Sequence, residues 1–169
     1  MQVPEGWRYI DIGSIATVKV AGDVKKEFYS QHPTNTHCYP VYSNTIINKG
    51  LYGYYDFIEY ENDAVTIVGR GIGIGTAFPR YKTSGFGAVG RLLIVFPKES
   101  SFDIRYFSES INFLLKIFYE SGAIPQLPGY TLEKYKVLLP PLAEQEKIAD
   151  ILSTWDHTIE QTERLKANA

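Results

Sequence analysis

The texture of the chain changes at Pro140-Pro141, and that change limits the architecture more than any other feature. All 14 glycines and 9 prolines lie at or before Pro141, so nothing from Leu142 onward breaks a helix. Pro141 suits a first helical position, where its fixed φ is already right and its missing N–H is not needed. Ile148, Leu152, Trp155, Ile159 and Thr162 then alternate steps of four and three, the spacing of a seam that packs on another helix. At roughly 1.5 Å per residue this helix extends on the order of 35 Å, enough to stand off a globular body. The expected seam is Ile148, Leu152, Trp155 and Ile159, with Trp155 as its largest side chain. A terminal helix folded back on its own domain is the alternative. The boundary divides the chain into a domain over 1–140 and a spacer or dimerisation helix over 141–169.

Before residue 100 the helical period is missing. Thr17 to Val20, Tyr39 to Tyr42, Phe57 to Tyr60, Ala64 to Val68, Gly75 to Pro79 and Arg91 to Phe96 are β-branched or aromatic runs between turn residues, and read as short strands. Between Asp103 and Ser121, Ile104, Phe107, Ile111, Leu114, Leu115 and Phe118 recur at helical steps, with Ser100 or Ser101 as candidate N-caps and Gly122 as the stop. Gly122 to Gly129 reads as irregular and Lys136 to Leu139 as a returning strand. The fold class is therefore α+β: a β-rich domain with one packed amphipathic helix, then a long C-terminal helix suited to antiparallel coiled-coil pairing.

With 44% hydrophobic residues in 169, the chain can bury a real core without staples. One cysteine, Cys38, excludes an internal disulfide framework and suits a reducing cytoplasm. No apolar run approaches the roughly 20 residues of a membrane span, and the N-terminus lacks a signal-peptide pattern; a soluble chain without a membrane partner is expected. The net charge of −2 taken alone opposes a nucleic-acid partner, but the charges are segregated. No acid lies between Asp63 and Glu99, a stretch that holds Arg70, Arg80, Lys82, Arg91 and Lys98. A second acid-free stretch, Phe28 to Tyr55, holds Lys49, His32, His37 and several tyrosines. One basic, tyrosine-rich face is the consequence, a modest nucleic-acid footprint.

The chain offers no recognisable active site. The run Gly69-Arg70-Gly71-Ile72-Gly73-Ile74-Gly75 lacks the spacing of a dinucleotide fingerprint, since Thr76 stands where a third glycine belongs, and no Gly-Lys-Ser/Thr completes a P-loop. It reads as a tight turn or a place of close approach to a ligand. His32, His37 and His157 are not at metal-ligand spacing, and Cys38 beside His37 makes no zinc pattern. Asp56, Glu59, Glu61 and Asp63 could hold magnesium for a nuclease, but acids clustered between strands are more often a solvated turn. Neither an amino-methyltransferase tetrapeptide nor a glycine loop for a methyl donor occurs.

Leu138-Leu139-Pro140-Pro141-Leu142-Ala143-Glu144-Gln145-Glu146-Lys147-Ile148 strongly resembles the segment that ends a target-recognition domain and opens the spacer helix in type I restriction-modification specificity subunits. Pro4-Glu5-Gly6-Trp7, Pro40-Val41-Tyr42-Ser43-Asn44 with Gly50 and Gly53, and Val68-Gly69-Arg70-Gly71 with Gly75 add to the resemblance. It implies a non-catalytic component that reads one half of a split DNA target and brings a modification (methyltransferase) subunit to it, with a restriction subunit in the full complex. S-adenosylmethionine belongs to the modification subunit, and no cofactor is expected on this chain. The full family pattern has two recognition domains and two helical regions; this chain has one domain and a short helix. Self-pairing would restore the missing half and make the target a bipartite palindrome. The candidate DNA contacts are Tyr42, Ser43, Asn44, Arg70, Arg80, Lys82, Thr83, Ser84 and Arg91, because Asn pairs bidentately with adenine and Arg with guanine while Lys and hydroxyl groups hold phosphates. Two rivals remain at this point: a recognition fragment that folds and dimerises without supporting modification, and an autonomous nuclease using the acid cluster.

Overall fold

The structure, a computed structural model, describes residues 3–114 and 126–167. In chain order its elements are β1 (Arg8–Asp11), α1 (Ile12–Ile15), β2 (Ala16–Val20), β3 (Tyr29–Ser30), β4 (Tyr39–Tyr42), β5 (Leu51–Tyr55), β6 (Ala64–Ile67), β7 (Ala77–Arg80), β8 (Gly87–Ala88), β9 (Leu93–Pro97), α2 (Ile104–Leu114), α3 (Gly129–Leu132), β10 (Lys136–Leu139) and α4 (Leu142–Ala167). The expected α+β class is what forms.

A central antiparallel sheet has the order β2-β9-β6-β7, with Val65 opposite Val95 and Ala64 opposite Arg80. Because side chains alternate along a strand, Val65 and Ile67 face one way and Ala64 and Thr66 the other. The first face packs against Phe107 and Ile111 of α2, Leu132 of α3 and Val137 and Leu139 of β10, forming the main core. The second face packs Ala64 and Ile94 against Phe86, Ala88 and Leu92, beneath a smaller sheet of order β3-β5-β4-β8. Burial on both faces explains why Ala64-Val65-Thr66-Ile67-Val68 is an almost unbroken apolar run. A two-stranded sheet of β1 and β10, with Arg8 opposite Leu139, ties the two ends of the domain together.

Several expectations change. Phe57 to Tyr60 is not a strand: Phe57 stacks on Tyr55 with centroids 4.9 Å apart, and only Tyr60 bridges, to Phe86. Aromatic content marks a packing position there, not an extended one. The strand is instead β5, with Gly53 at its centre. Gly53 is needed because the Tyr29 ring lies over it; a Cβ would come within 2.3 Å of that ring. Asp103 caps α2, not Ser100 or Ser101: its Oδ1 accepts from the N–H of Arg105 at 2.7 Å and of Tyr106 at 3.1 Å. Ser101 donates to the Ile15 carbonyl, and Ser100 has φ of 54°. Arg91 precedes β9, in a turn. The expected continuation of α2 through Leu115 and Phe118 to Ser121, its stop at Gly122 and the irregular segment as far as Pro125 lie outside the described residues.

Helix α4 is held at its base. Gln145 is buried, accepting from the Asp103 N–H at 3.0 Å and donating to the Pro140 carbonyl at 2.9 Å. Ala149 enters the main core, and Ile148 packs against it. Arg105 reaches Asp150 at 2.6 Å, and the Trp7 indole N–H donates to Glu144 at 3.2 Å. From Ile151 to Ala167 every residue is exposed. The expected seam therefore divides: Ile148 serves the domain, while Leu152, Trp155 and Ile159 remain open, Trp155 at 65%.

Candidate nucleic-acid interface

Val20, Ile67 and Leu93 meet at one end of the central sheet. The loop joining β6 to β7 caps this end. Gly71, Gly73 and Gly75 all have positive φ, the left-handed region where a Cβ is strained, and the loop closes on itself through Gly75 N–H to the Val68 carbonyl at 2.8 Å. Its shape leaves Arg70 exposed and pushes Ile72 out to 88% exposure. The Leu127 N–H donates to the Gly69 carbonyl at 2.8 Å and fixes the root of the loop.

Arg91 stands beside it. Gly90 and Arg91 occupy the middle of the Val89–Leu92 turn with φ of 69° and 68°. For arginine this conformation is strained by about 1–2 kcal/mol. Arg70 and Arg91 line one shallow cavity of about 230 Å³, together with Val20, Gln126 and Pro128, and no carboxylate among the described residues lines it. Among the described residues neither arginine has an ion-pair or side-chain hydrogen-bond partner. Two free guanidinium groups, an exposed isoleucine and unfilled space make a surface suited to an anionic, partly apolar ligand.

Asn44 joins the two arginine-bearing segments. Its Oδ1 accepts from the Gly69 N–H at 2.7 Å, and its Nδ2 donates to the Gly90 carbonyl. The side chain is thus bonded at both ends, which holds its carboxamide between the two loops. Ser43 is half-buried, and its N–H donates to the Gly50 carbonyl at 2.9 Å.

Arg80 is placed quite differently. It is 6% exposed; its Nε donates to Thr66 Oγ1 at 2.9 Å, one Nη donates to the Lys49 carbonyl at 2.5 Å, and the guanidinium lies 3.4 Å from the centre of the Tyr42 ring. Burial lowers its pKa to about 10, against the opposing effect of Tyr42, so it stays charged at neutral pH. Arg80 and Tyr42 support the Ser43–Gly50 loop from inside the protein and do not belong to the exposed cationic set.

Lys82, Thr83 and Ser84 are exposed, but at the other end of the sheet, past the Ala64–Arg80 pair. The four residues of β6 separate the two ends by about 13 Å. There the Lys82 N–H donates to Asp63 at 2.7 Å and Ser84 Oγ to the Tyr81 carbonyl at 3.1 Å. The neighbouring cavity, about 730 Å³, is lined by Glu59, Glu61 and Asp63 as well as Lys19 and Lys82, so its charge is mixed. The nine residues singled out by sequence do not form one patch.

Two of the four clustered acids have structural tasks: Glu59 pairs with Lys25 at 2.9 Å and accepts from the Ala88 N–H at 3.1 Å, and Asp63 accepts from the Lys82 N–H. Among the described residues no group of three His, Cys, Asp or Glu is arranged to hold a metal ion, and no helix is long and apolar enough to cross a membrane. Sequence reasoning missed Ile72 and Gln126. The alternating glycines were the available signal for Ile72; nothing local marks Gln126, which meets Arg70 only through an isolated backbone bridge.

Comparison with known proteins adds a family to this geometry. The model of the type I restriction modification DNA specificity domain matches residues 4–169. Two Mycoplasma pneumoniae proteins named as type I specificity subunits are 28% identical over 145 residues and 25% identical over 147. Each match covers 86% of this chain and 42% or 46% of the relative, so the chain spans less than half the length of these relatives. The crystal structure of a type I restriction-modification S subunit from M. genitalium superposes with a TM-score of 0.72 at 14% identity, covering 95% of this chain and 42% of that one. The HsdS subunit from Thermoanaerobacter tengcongensis gives 0.62 at 15% identity, covering 98% and 41%. At these identities the superpositions establish the fold.

Proposed function

Because the chain belongs to the type I restriction modification DNA specificity domain family, we propose that it reads duplex DNA as the specificity component of a type I complex in the cytoplasm. It performs no chemistry of its own and directs a separate modification subunit, which binds S-adenosylmethionine, and a restriction subunit to one target. The observation that carries this reading is the end of the central sheet where Arg70 and Arg91 line one cavity that, among the described residues, has no carboxylate and gives neither arginine an ion-pair partner. Buried or ion-paired arginines would contribute little to a polyanion; free ones displace counterions from phosphates and reach base edges. Lys82, Thr83 and Ser84, beyond the far end of β6, serve as phosphate contacts on the flank of the same duplex.

Residues 1–140 act as the recognition domain and 141–169 as the spacer. The open face of α4, with Leu152, Trp155 and Ile159, pairs antiparallel with the same face of a second copy. Two-fold pairing presents two identical recognition ends in opposite directions, so the target is bipartite and its halves are inverted repeats. The test is methyl transfer from labelled S-adenosylmethionine to duplex DNA by the chain and a type I modification subunit, together and separately. Transfer only with both present is expected. Transfer by the modification subunit alone at the same rate and to the same sites would refute the specificity role.

A further inference from the structure

The two exposed arginines come from different connections, Arg70 from the β6–β7 loop and Arg91 from the turn before β9, and one carboxamide joins them. Asn44 accepts from the N–H of Gly69, the residue before Arg70, and donates to the carbonyl of Gly90, the residue before Arg91. We infer that Asn44 is a positioning residue for recognition: it fixes the Arg70 and Arg91 segments to each other, so that the two guanidinium groups read DNA as a pair.

The inference rests on the recognition reading and adds to it a residue that acts through the two arginine segments. Three observations converge. Gly69 already lies against the Arg91 segment, since a Cβ there would come within 3.3 Å of the Arg91 carbonyl oxygen and 3.1 Å of Leu93. Asn44 supplies one acceptor and one donor on a single planar group, which is what an N–H on one side and a C=O on the other require. Neither the hydroxyl of serine nor the carboxylate of aspartate presents both at that separation. Asn44 is itself held from below: the Ser43 N–H bonds the Gly50 carbonyl, and the buried Arg80 bonds the Lys49 carbonyl. The spacing of the two arginines is therefore transmitted from the core through the Ser43–Gly50 loop. Bidentate base contacts tolerate small errors poorly, so rigid spacing governs discrimination more than affinity.

The test is selection of bound sequences from a random duplex library by the full chain, with thermal unfolding of each variant measured alongside. Arg70→Ala should flatten base preference at one set of positions and Arg91→Ala at another. Asn44→Ala should flatten both sets by about tenfold, the size of one bidentate contact, while the salt dependence of non-specific binding stays unchanged because both cations remain. Asn44→Asp keeps the acceptor for Gly69 but turns an oxygen toward the Gly90 carbonyl; it should spare the Arg70 positions and flatten the Arg91 positions. Uniform loss across all positions, in step with a falling folded fraction, would reduce Asn44 to a structural residue and overturn the inference. So would a selected sequence that depends on both arginines and is unaffected by Asn44→Ala. If neither arginine variant alters the selected sequence, the recognition reading fails first and the pairing with it.

Discussion

Arg80 and Arg91 belong to the same acid-free stretch, and sequence alone treats them alike. One is buried against Thr66 and Tyr42; the other is exposed in a left-handed turn. The difference arises from partners far away in sequence, which no local pattern reveals. It yields opposite expectations. Arg80→Ala should cost about 2–4 kcal/mol in a denaturant titration, because the Thr66 hydroxyl and Lys49 carbonyl lose a buried donor, and Arg80→Lys should not restore the loss, since an ammonium cannot make the same planar fork. Arg91→Gly should instead stabilise the fold by roughly 0.5–1 kcal/mol by removing the strain at positive φ. It should nevertheless weaken DNA binding and lower the slope of log K against log salt by about one, as should Arg70→Ala. Gain of stability with loss of binding at Arg91 would locate function at the strained residue. Unchanged binding curves between about 50 and 200 mM salt would remove Arg91 from the interface.

Elements were legible where their signal is local. The glycine- and proline-free run marks α4, the β-branched and aromatic runs between turn residues mark β2, β6 and β9, and Lys136 to Leu139 forms β10. Strands defined by tertiary contact were not legible. β5 contains the glycine that the Tyr29 ring demands, and β1 exists because β10 pairs with it. The α2 cap is Asp103 and neither expected serine, because the fold turns the Ser101 hydroxyl to the Ile15 carbonyl and puts Ser100 at a φ of 54°. Asp103→Ala should cost about 1 kcal/mol, read as a fall in unfolding midpoint. Where α2 faces α4, partial burial and then the neighbouring Asp156 push the Glu109 carboxyl above its ordinary 4.5. The folded state therefore holds this proton more tightly than the unfolded chain does. Its contribution to stability is present below the ordinary glutamate value and is lost as pH rises through the raised one. Glu109→Gln should accordingly raise the unfolding temperature at pH 7 and leave it nearly unchanged near pH 4. A larger gain at the acidic pH would contradict that sign.

At the scale of the whole molecule, the base of α4 is fixed to the domain by Gln145, Ala149 and the Arg105–Asp150 pair, while its outer face is open. The direction of the helix is thus set by the domain, and only its far part is free to choose a partner. Trp155→Ala should abolish self-association in sedimentation while leaving the thermal unfolding of the domain intact; loss of the whole fold would mean that the helix folds back as part of the core. The family was legible at the point where domain becomes helix, because Pro140-Pro141 and the Gln145 that caps this junction are local in sequence. The proposed reading surface was not, since it is assembled from connections that meet only in the folded sheet. Recognition by this chain is tested most directly by single-molecule sequencing of DNA from cells that express it with a type I modification subunit, compared with cells that express the modification subunit alone. A new methylated motif with two inverted halves, found only when the chain is present, is the predicted result. No new motif, with both proteins expressed and soluble, would contradict it.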